Sequence, residues 1–535
     1  MKRAYMIGGT LAVAAVAMVA FVAADAPKGD TKTDLYSGKF FKSEESVTDG
    51  SVNGISYQAI AGTLVVHPKD WNDTAQNGGS KNPDAKEDES SPEASMFFVY
   101  YSKRGESPEG RPITFLYNGG PGSSTVWLHM GAFGPKRVVT NDDTHTAAAP
   151  YKLVDNDASL LDASDLVFID APSTGFSRIA GKDKEKAFYG TDPDARAFSN
   201  FIKEFLSKYN RWNSPKYLFG ESYGTPRSAI VANYLENDDS VDLNGVILLS
   251  QILNFSLSVD GPDTNPGVDL PYVVALPTYA ATAWYHHKLP GQQPKDLVPF
   301  VQSVERFATG EYAQALMEGA SLSPQRKLQI AQKLHAVTGL PVWYALKANL
   351  RIDGGEFEKT LQDDNGLTTG RLDTRFSGPT VDPLSKESDY DPQSSAISSA
   401  YVSAFNSYVR GQLNFGQGKL YQPEIDVFKS WEDKHEQPNA GFAFPGAVNV
   451  MPDIANAMKQ NPTLKVMVNG GYYDLATPYY EGWYEMHHLP IPASLMNNIE
   501  FHYYPSGHMV YAHKESLKEL HDNVAAFIRQ TDNLK

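Results

Sequence analysis

The chain of 535 residues contains no cysteine. It can form no disulfide, cannot act through a thiolate nucleophile, and cannot be lipidated at a cysteine near a cleaved leader. Positive charge is also scarce. Lys and Arg number 47 against 63 Asp and Glu, a formal net charge of −16. No basic stripe is present to track a phosphate backbone, which argues against a nucleic-acid partner, and the acidity itself speaks mainly to solubility. Long apolar runs are missing too, with one exception at residues 4–24. That run is uncharged, rich in Ala and Val, preceded by Met1-Lys2-Arg3 and closed by small residues, the form of a signal peptide. Val22-Ala23-Ala24 or Ala24-Asp25-Ala26 would serve as its cleavage site. Its length also permits an uncleaved anchor. Export without disulfides favours a bacterial envelope compartment, so the expected location is periplasmic or secreted.

What is present is a chain of globular composition, 41% hydrophobic and 12% aromatic, too long for one small core. Residues 25–54 are polar and read as a flexible lead-in, followed by a strand pair at 55–60 and 62–66 and a loop at 72–92. Strands are expected at 95–101, 112–117, 165–170, 216–219 and 245–250, with a helix at 193–209 and another from 228 to 235. Alternating strands and helices predict a mainly parallel sheet with crossover helices. From about 255 the pattern becomes helical, at 272–285, 295–307, 311–317 and 323–337, and sheet character returns at 464–468 and 499–504. The expected organisation is a signal peptide at 1–24, a core at 25–255, a helical cap at 256–453 and the rest of the core at 454–535.

The chemistry centres on Gly220-Glu221-Ser222-Tyr223-Gly224, between a β-prone run and a helical one. A strand-to-helix turn this sharp requires glycine two residues before and two after the serine, and it exposes the hydroxyl at a helix N-terminus. Ser222 is therefore the candidate nucleophile. Asn118-Gly119-Gly120-Pro121-Gly122-Ser123-Ser124 follows another strand, and its glycines free backbone N–H groups to converge on an oxyanion. An activated serine needs a base, and the base needs a carboxylate. In an α/β-hydrolase arrangement the acid and then the histidine follow the serine, each after a strand. Asp474 and His508 meet that rule. Asp170 is also at a strand end but precedes the serine and so breaks the expected order, while His502, within a strand, and His513, expected on a helix, are read as structural. The pairs His286-His287 and His487-His488 lack the spacing of a helical metal motif, so no metal or other cofactor is expected.

Taken together, four blocks resemble the serine carboxypeptidases, exopeptidases of the α/β-hydrolase fold. They are Asn118 to Ser124, Phe168-Ile169-Asp170-Ala171-Pro172 through Ser177, Gly220 to Gly224, and Gly507-His508-Met509-Val510. The resemblance implies an α/β-hydrolase fold, a mostly parallel central sheet carrying a helical cap insertion. It implies Ser222, Asp474 and His508 as the triad, the N–H groups of Gly120 and Tyr223 as the oxyanion hole, and Asn118 with Glu221 as the binders of a substrate's C-terminal carboxylate. A glutamate facing an anionic substrate end can donate a hydrogen bond only when protonated, which predicts activity favoured in acid. The chain departs from the family pattern at several places. Ser123 stands for a cysteine, Thr225 for a glycine, Tyr511 for a proline, and Ala132 for a second glutamate. The last change reduces the expected carboxylate network and keeps open an esterase or acyltransferase using the same triad. A silent binding protein is a third reading. The substrate expected is a peptide or a small acyl compound, with no membrane contact beyond an uncleaved anchor.

Overall fold

The strands bury apolar side chains on both faces, as a sheet covered on both sides requires. In the computed structural model, which describes residues 38–69, 91–443 and 445–534, ten of them join one sheet. β1 (Glu45–Val52), β2 (Ile55–Val66) and β3 (Glu93–Lys103) come first, then β4 (Ile113–Tyr117) and a small ribbon of β5 (Lys136–Val138) and β6 (Leu153–Asp155). β7 (Asp165–Ile169), β8 (Arg178–Ala180), β9 (Lys216–Glu221) and β10 (Gly245–Leu249) follow. A second ribbon, β11 (Leu367–Thr369) and β12 (Ser377–Pro379), lies in the long connection before β13 (Lys465–Gly471) and β14 (Ile499–Tyr504). The spatial order is β1-β2-β3-β7-β4-β9-β10-β13-β14, with β8 beside β3. Pairing is antiparallel from β1 to β7 and parallel from β7 to β14. This is the α/β-hydrolase fold.

Period-two alternation is plain along β3. Phe97, Val99 and Tyr101 enter one core, and Met96, Phe98 and Tyr100 enter the other. The helix Thr191–Lys208 covers the second face with Phe198, Phe201 and Phe205, and the helix Lys514–Thr531 covers the first with Leu517, Leu520 and Val524.

One N-terminal expectation is corrected. Residues 55–60 and 62–66 are a single strand, β2, and its hairpin partner is β1, within the stretch read as a flexible lead-in. The turn is Asn53-Gly54, with both residues at positive φ (51° and 78°), the Asn-Gly signal of a tight hairpin. Gly62 is a close approach rather than a turn, because a Cβ there would lie 2.6 Å from the Glu44 carbonyl oxygen. The expected signal peptide, and the expected loop at 72–92 except for its last two residues, lie outside the described residues.

The long connection between β10 and β13 has two parts. Helices Leu270–Tyr285, Leu297–Phe307, Pro324–Thr338, Val342–Lys347 and Gly354–Thr360 enclose a core of their own, where Tyr279 stacks on Phe357 at 4.2 Å between centroids. Leu475, next to Asp474, is buried in that same cluster. The helix Pro392–Gly411 instead packs Tyr401, Phe405 and Tyr408 against the first face of the sheet, and Met451–Gln460 packs Ile454 and Met458 on the second. Among the described residues no helix is long and apolar enough to cross a membrane.

Beneath the elbow, the helix Gly224–Asn233 is pinned by a fully buried ion pair. Arg227 Nε donates to Asp194 Oδ2 at 2.6 Å, and Nη1 donates to the Asn118 carbonyl at 2.7 Å. The guanidinium also sits 4.3 Å from the Phe198 ring centroid. Burial raises the Asp194 carboxyl, and Arg227 works against that rise. Removing one partner strands a buried charge, so Arg227→Met is expected to destabilise the fold by about 3–5 kcal/mol. Urea unfolding measures this, and a loss below about 1 kcal/mol would mean the pair is not what holds helix to loop.

Candidate active site

The candidate nucleophile lies where β9 turns into the helix Gly224–Asn233, and its backbone is strained. Ser222 has φ 59°, a left-handed conformation that a side chain seldom adopts, and its N–H donates to the Leu249 carbonyl at 3.0 Å. Glycine is obligatory on either side. A Cβ at Gly220 would sit 2.0 Å from the Gly224 carbonyl oxygen, and one at Gly224 would sit 2.8 Å from that of Tyr117. The glycine loop after β4 closes on the same turn, so that a Cβ at Gly119 would lie 2.3 Å from the Tyr223 nitrogen. Gly120 adopts φ 107°. Among the described residues neither the Gly120 nor the Tyr223 N–H donates a hydrogen bond.

The acid and the histidine stand on the loops after β13 and β14. His508 Nδ1 is 2.8 Å from Asp474 Oδ2, with Asp474 fully buried and His508 nearly so. Asp474 Oδ1 accepts from the Ala476 and Thr477 amides at 2.9 and 3.0 Å, and Oδ2 accepts from the Thr477 hydroxyl at 2.8 Å. Four hydrogen bonds therefore hold one carboxylate, and the ring's other nitrogen makes none among the described residues. Burial pulls the His508 pKa down, but the charge and hydrogen bond of Asp474, with the charge of Glu221, overcome this and raise it. Ser222 Oγ makes no hydrogen bond among the described residues. Such contacts commonly tighten only once substrate is bound.

Two loops so far apart in sequence are clamped by a third segment, residues 371–375, for which no motif gave notice. The His508 N–H donates to the Leu372 carbonyl at 2.7 Å, the Leu475 N–H to that of Arg371 at 3.1 Å, and the Thr374 N–H to that of Tyr473 at 2.9 Å. Gly507 donates to Asp373 Oδ2 at 3.2 Å, and Arg375 in turn grips that carboxylate at 2.6 Å. The loops also touch directly, since a Cβ at Gly471 would meet the Ser506 carbonyl oxygen at 2.1 Å.

A cavity of about 200 Å³ opens over Ser222, lined by Asn118, Gly120, Glu221 and His508 among others. Glu221 is 2% exposed. Burial pushes its carboxyl up to about 7, while the charge of His508 and hydrogen bonds from Tyr511 and Asn118 act downward. The Tyr511 hydroxyl donates to both Glu221 oxygens, at 2.8 and 3.1 Å. Asn118 Oδ1 accepts from the Leu128 amide at 3.0 Å, which turns its NH2 the other way. Ala132 is fully buried and brings no carboxylate, and its carbonyl accepts from Asn156 at 2.7 Å. Tyr511, noted in the sequence only as a departure, is thus the residue that holds Glu221.

The competing residues have other employment. Asp170 Oδ1 accepts from the Thr125 amide at 2.8 Å and so steadies the glycine loop, its carboxyl raised by burial to about 7. His502 lies in β14 beside Glu500 at 3.2 Å. His513 caps the helix Lys514–Thr531 rather than lying on it, 2.7 Å from the Ser516 hydroxyl. His487 and His488 bond carbonyls of their own helix, and His286 bonds the Thr374 carbonyl.

Strand order and the placement of these residues define an α/β hydrolase. The model of one family, serine carboxypeptidase, matches residues 86–260, which include the glycine loop and the elbow but neither Asp474 nor His508. The serine carboxypeptidase-like 33 of Arabidopsis thaliana is 28% identical over 168 residues, 29% of this chain and 32% of that protein. The pheromone-processing carboxypeptidase KEX1 of Saccharomyces cerevisiae is 29% identical over 183 residues, 31% of this chain and 24% of that one. For the probable serine carboxypeptidase CPVL of Homo sapiens the figures are 25% over 235 residues, and 42% of each chain. The matches thus span less than half the length of these relatives. Among solved structures, a proline iminopeptidase of Mycobacterium smegmatis is 13% identical over 91% of this chain and 99% of its own, with a TM-score of 0.33. The fold assignment rests on the strand order and not on that likeness.

The geometry makes Ser222 the expected site of covalent capture. A fluorophosphonate probe should label the protein, with loss of labelling in Ser222→Ala and labelling slowed at least 100-fold in His508→Ala. Equal labelling of Ser222→Ala and the parent would remove Ser222 from this role.

Proposed function

We propose that the chain is a serine carboxypeptidase, cleaving the last peptide bond of a substrate through an acyl-enzyme. The observation that carries this reading is Glu221, a buried carboxyl pushed to about 7, adjacent to the nucleophile in the same cavity. The likeness to carboxypeptidases over about a third of the chain supports it. Ser222 Oγ attacks the scissile carbonyl carbon, its proton passing to His508 Nε2, while the Gly120 and Tyr223 N–H groups hold the oxyanion. Asp474 stabilises the imidazolium. The C–N bond then breaks as His508 returns the proton to the leaving amine, and a water, deprotonated by His508, releases the acid and frees Ser222.

Proton placement is the subtle part. The productive form needs a neutral His508 to accept and a protonated Glu221 to donate to the substrate carboxylate. Each group's charge favours the opposite charge on the other, so in the empty site they compete for one proton. An arriving carboxylate repels ionised Glu221 and drives the proton onto it, which removes the smaller of the two charges that raise His508, the larger being that of Asp474. Below about pH 7 Glu221 is protonated and the free acid binds, and above that it ionises and binding fails, so activity is favoured on the acid side.

Ala132 lends support to a second reading, an esterase or acyltransferase with the same triad, since it leaves only one glutamate at the carboxylate site. A peptide and its C-terminally amidated twin separate the two. The free acid should be cleaved at least 10-fold faster by kcat/KM, with an alkaline limb near pH 7 that disappears in Glu221→Gln. Equal rates for the two peptides would overturn the carboxypeptidase reading.

A further inference from the structure

Thr477 meets the triad twice. Its hydroxyl donates to Asp474 Oδ2 at 2.8 Å and lies 3.2 Å from His508 Nδ1, which is itself 2.8 Å from the same carboxylate oxygen. Three polar atoms thus form a closed triangle behind the imidazole. Thr477 is 5% exposed, so bulk water does not compete for these contacts.

The plain explanation of the hydroxyl is that it closes the turn ahead of the helix Tyr479–His487. That turn is already closed without it. The amides of Ala476 and Thr477 donate to Asp474 Oδ1 at 2.9 and 3.0 Å, and Pro478 stands at the helix start. The hydroxyl goes instead to the other carboxylate oxygen, the one that the imidazole uses.

Proton counting gives the contact a direction. A threonine hydroxyl has one proton, and once that is spent on Oδ2 the oxygen has only lone pairs to show to Nδ1. A bare Nδ1 would then face two acceptors and no donor, so the neutral ring carries its proton there. We propose that Thr477 is a positioning residue of the triad, whose hydroxyl keeps the His508 proton on Nδ1 and leaves Nε2 to receive the proton of Ser222. It also shares Oδ2 with the ring, which divides the carboxylate's charge between two donors. The 2.8 Å bond to a carboxylate outweighs the 3.2 Å approach to the ring, so losing both leaves more of the Asp474 charge to the imidazole and makes His508 harder to deprotonate. The charged groups that act on the pair from other elements are Glu221 of the elbow, Arg371 of the long connection and Glu481 of the following helix. Among the described residues Thr477 hydrogen-bonds none of them. The inference rests on the triad of the carboxypeptidase reading and not on its substrate.

The test follows fluorophosphonate labelling of the whole protein against pH, a reaction that needs Ser222 and a neutral His508 but no carboxylate on the reagent. In Thr477→Val, which keeps the shape and the amide, labelling at pH 7 should slow about 10-fold and its acid limb should move up by about 0.5 pH unit. Thr477→Ser should restore both. Thr477→Ala removes the hydroxyl with no added bulk and should match Thr477→Val, so a valine variant that folds poorly does not decide the matter. A hydroxyl that only closed a turn would lower Tm and leave the limb where it was. A limb unmoved in the valine and alanine variants, or not restored in Thr477→Ser, would overturn the proposal. A parent that labels with the expected profile yet cleaves neither the free-acid peptide nor its amidated twin would overturn the carboxypeptidase reading alone.

Discussion

Everything chemical in this molecule depends on one close approach of backbone to backbone, the seating of Gly119 against the amides of Tyr223 and Gly224. At this spot two parallel strands, β4 and β9, discharge their loops side by side, and the glycines let those loops come within the distance a side chain would occupy. The approach seats the glycine loop against the Tyr223 amide, beside Ser222 at positive φ. Strain of that kind persists only where the surroundings over-determine it. Here they do so through the Ser222 hydrogen bond to Leu249 and the buried Arg227, which ties the elbow helix to the Asn118 carbonyl.

The second constraint is the segment 371–375. An acid loop and a histidine loop after adjacent parallel strands need something to fix their spacing, and the long helical connection supplies it as a strip of backbone hydrogen-bonded to both. Leu475 goes further and buries itself in the core of the inserted helices. The inserted helices therefore pack against the loop that carries Asp474. Their core takes in Leu475, the residue next to Asp474.

Electrostatically the site is a buried chamber with two carboxyl groups, Glu221 and Asp474, beside the His508 imidazole. Each has a different environment. Asp474 has four hydrogen bonds and stays an acceptor. Glu221 has a tyrosine hydroxyl and an elevated pKa. Their roles diverge because their surroundings do, not because their chemistry does.

Much of this was legible in the sequence, and for a physical reason. A nucleophile elbow, a glycine loop and catalytic loops at strand ends are local events, set by steric demands within a few residues, so Ser222, Gly120, Asp474 and His508 announce themselves. Alternating strands and helices likewise imply a parallel sheet, and even the hairpin that was overlooked carries its Asn53-Gly54 turn in plain view. What sequence reasoning could not reach is whatever depends on distant segments meeting. Tyr511 holding Glu221, residues 371–375 bracing two loops, and Glu424 bridged to Ser123 across some 300 positions carry no local signature. Local geometry determined which chemistry is available to this chain, and only tertiary packing decided how its protons are placed and what its cavity presents, because both depend on charges brought within a few ångströms by the fold alone.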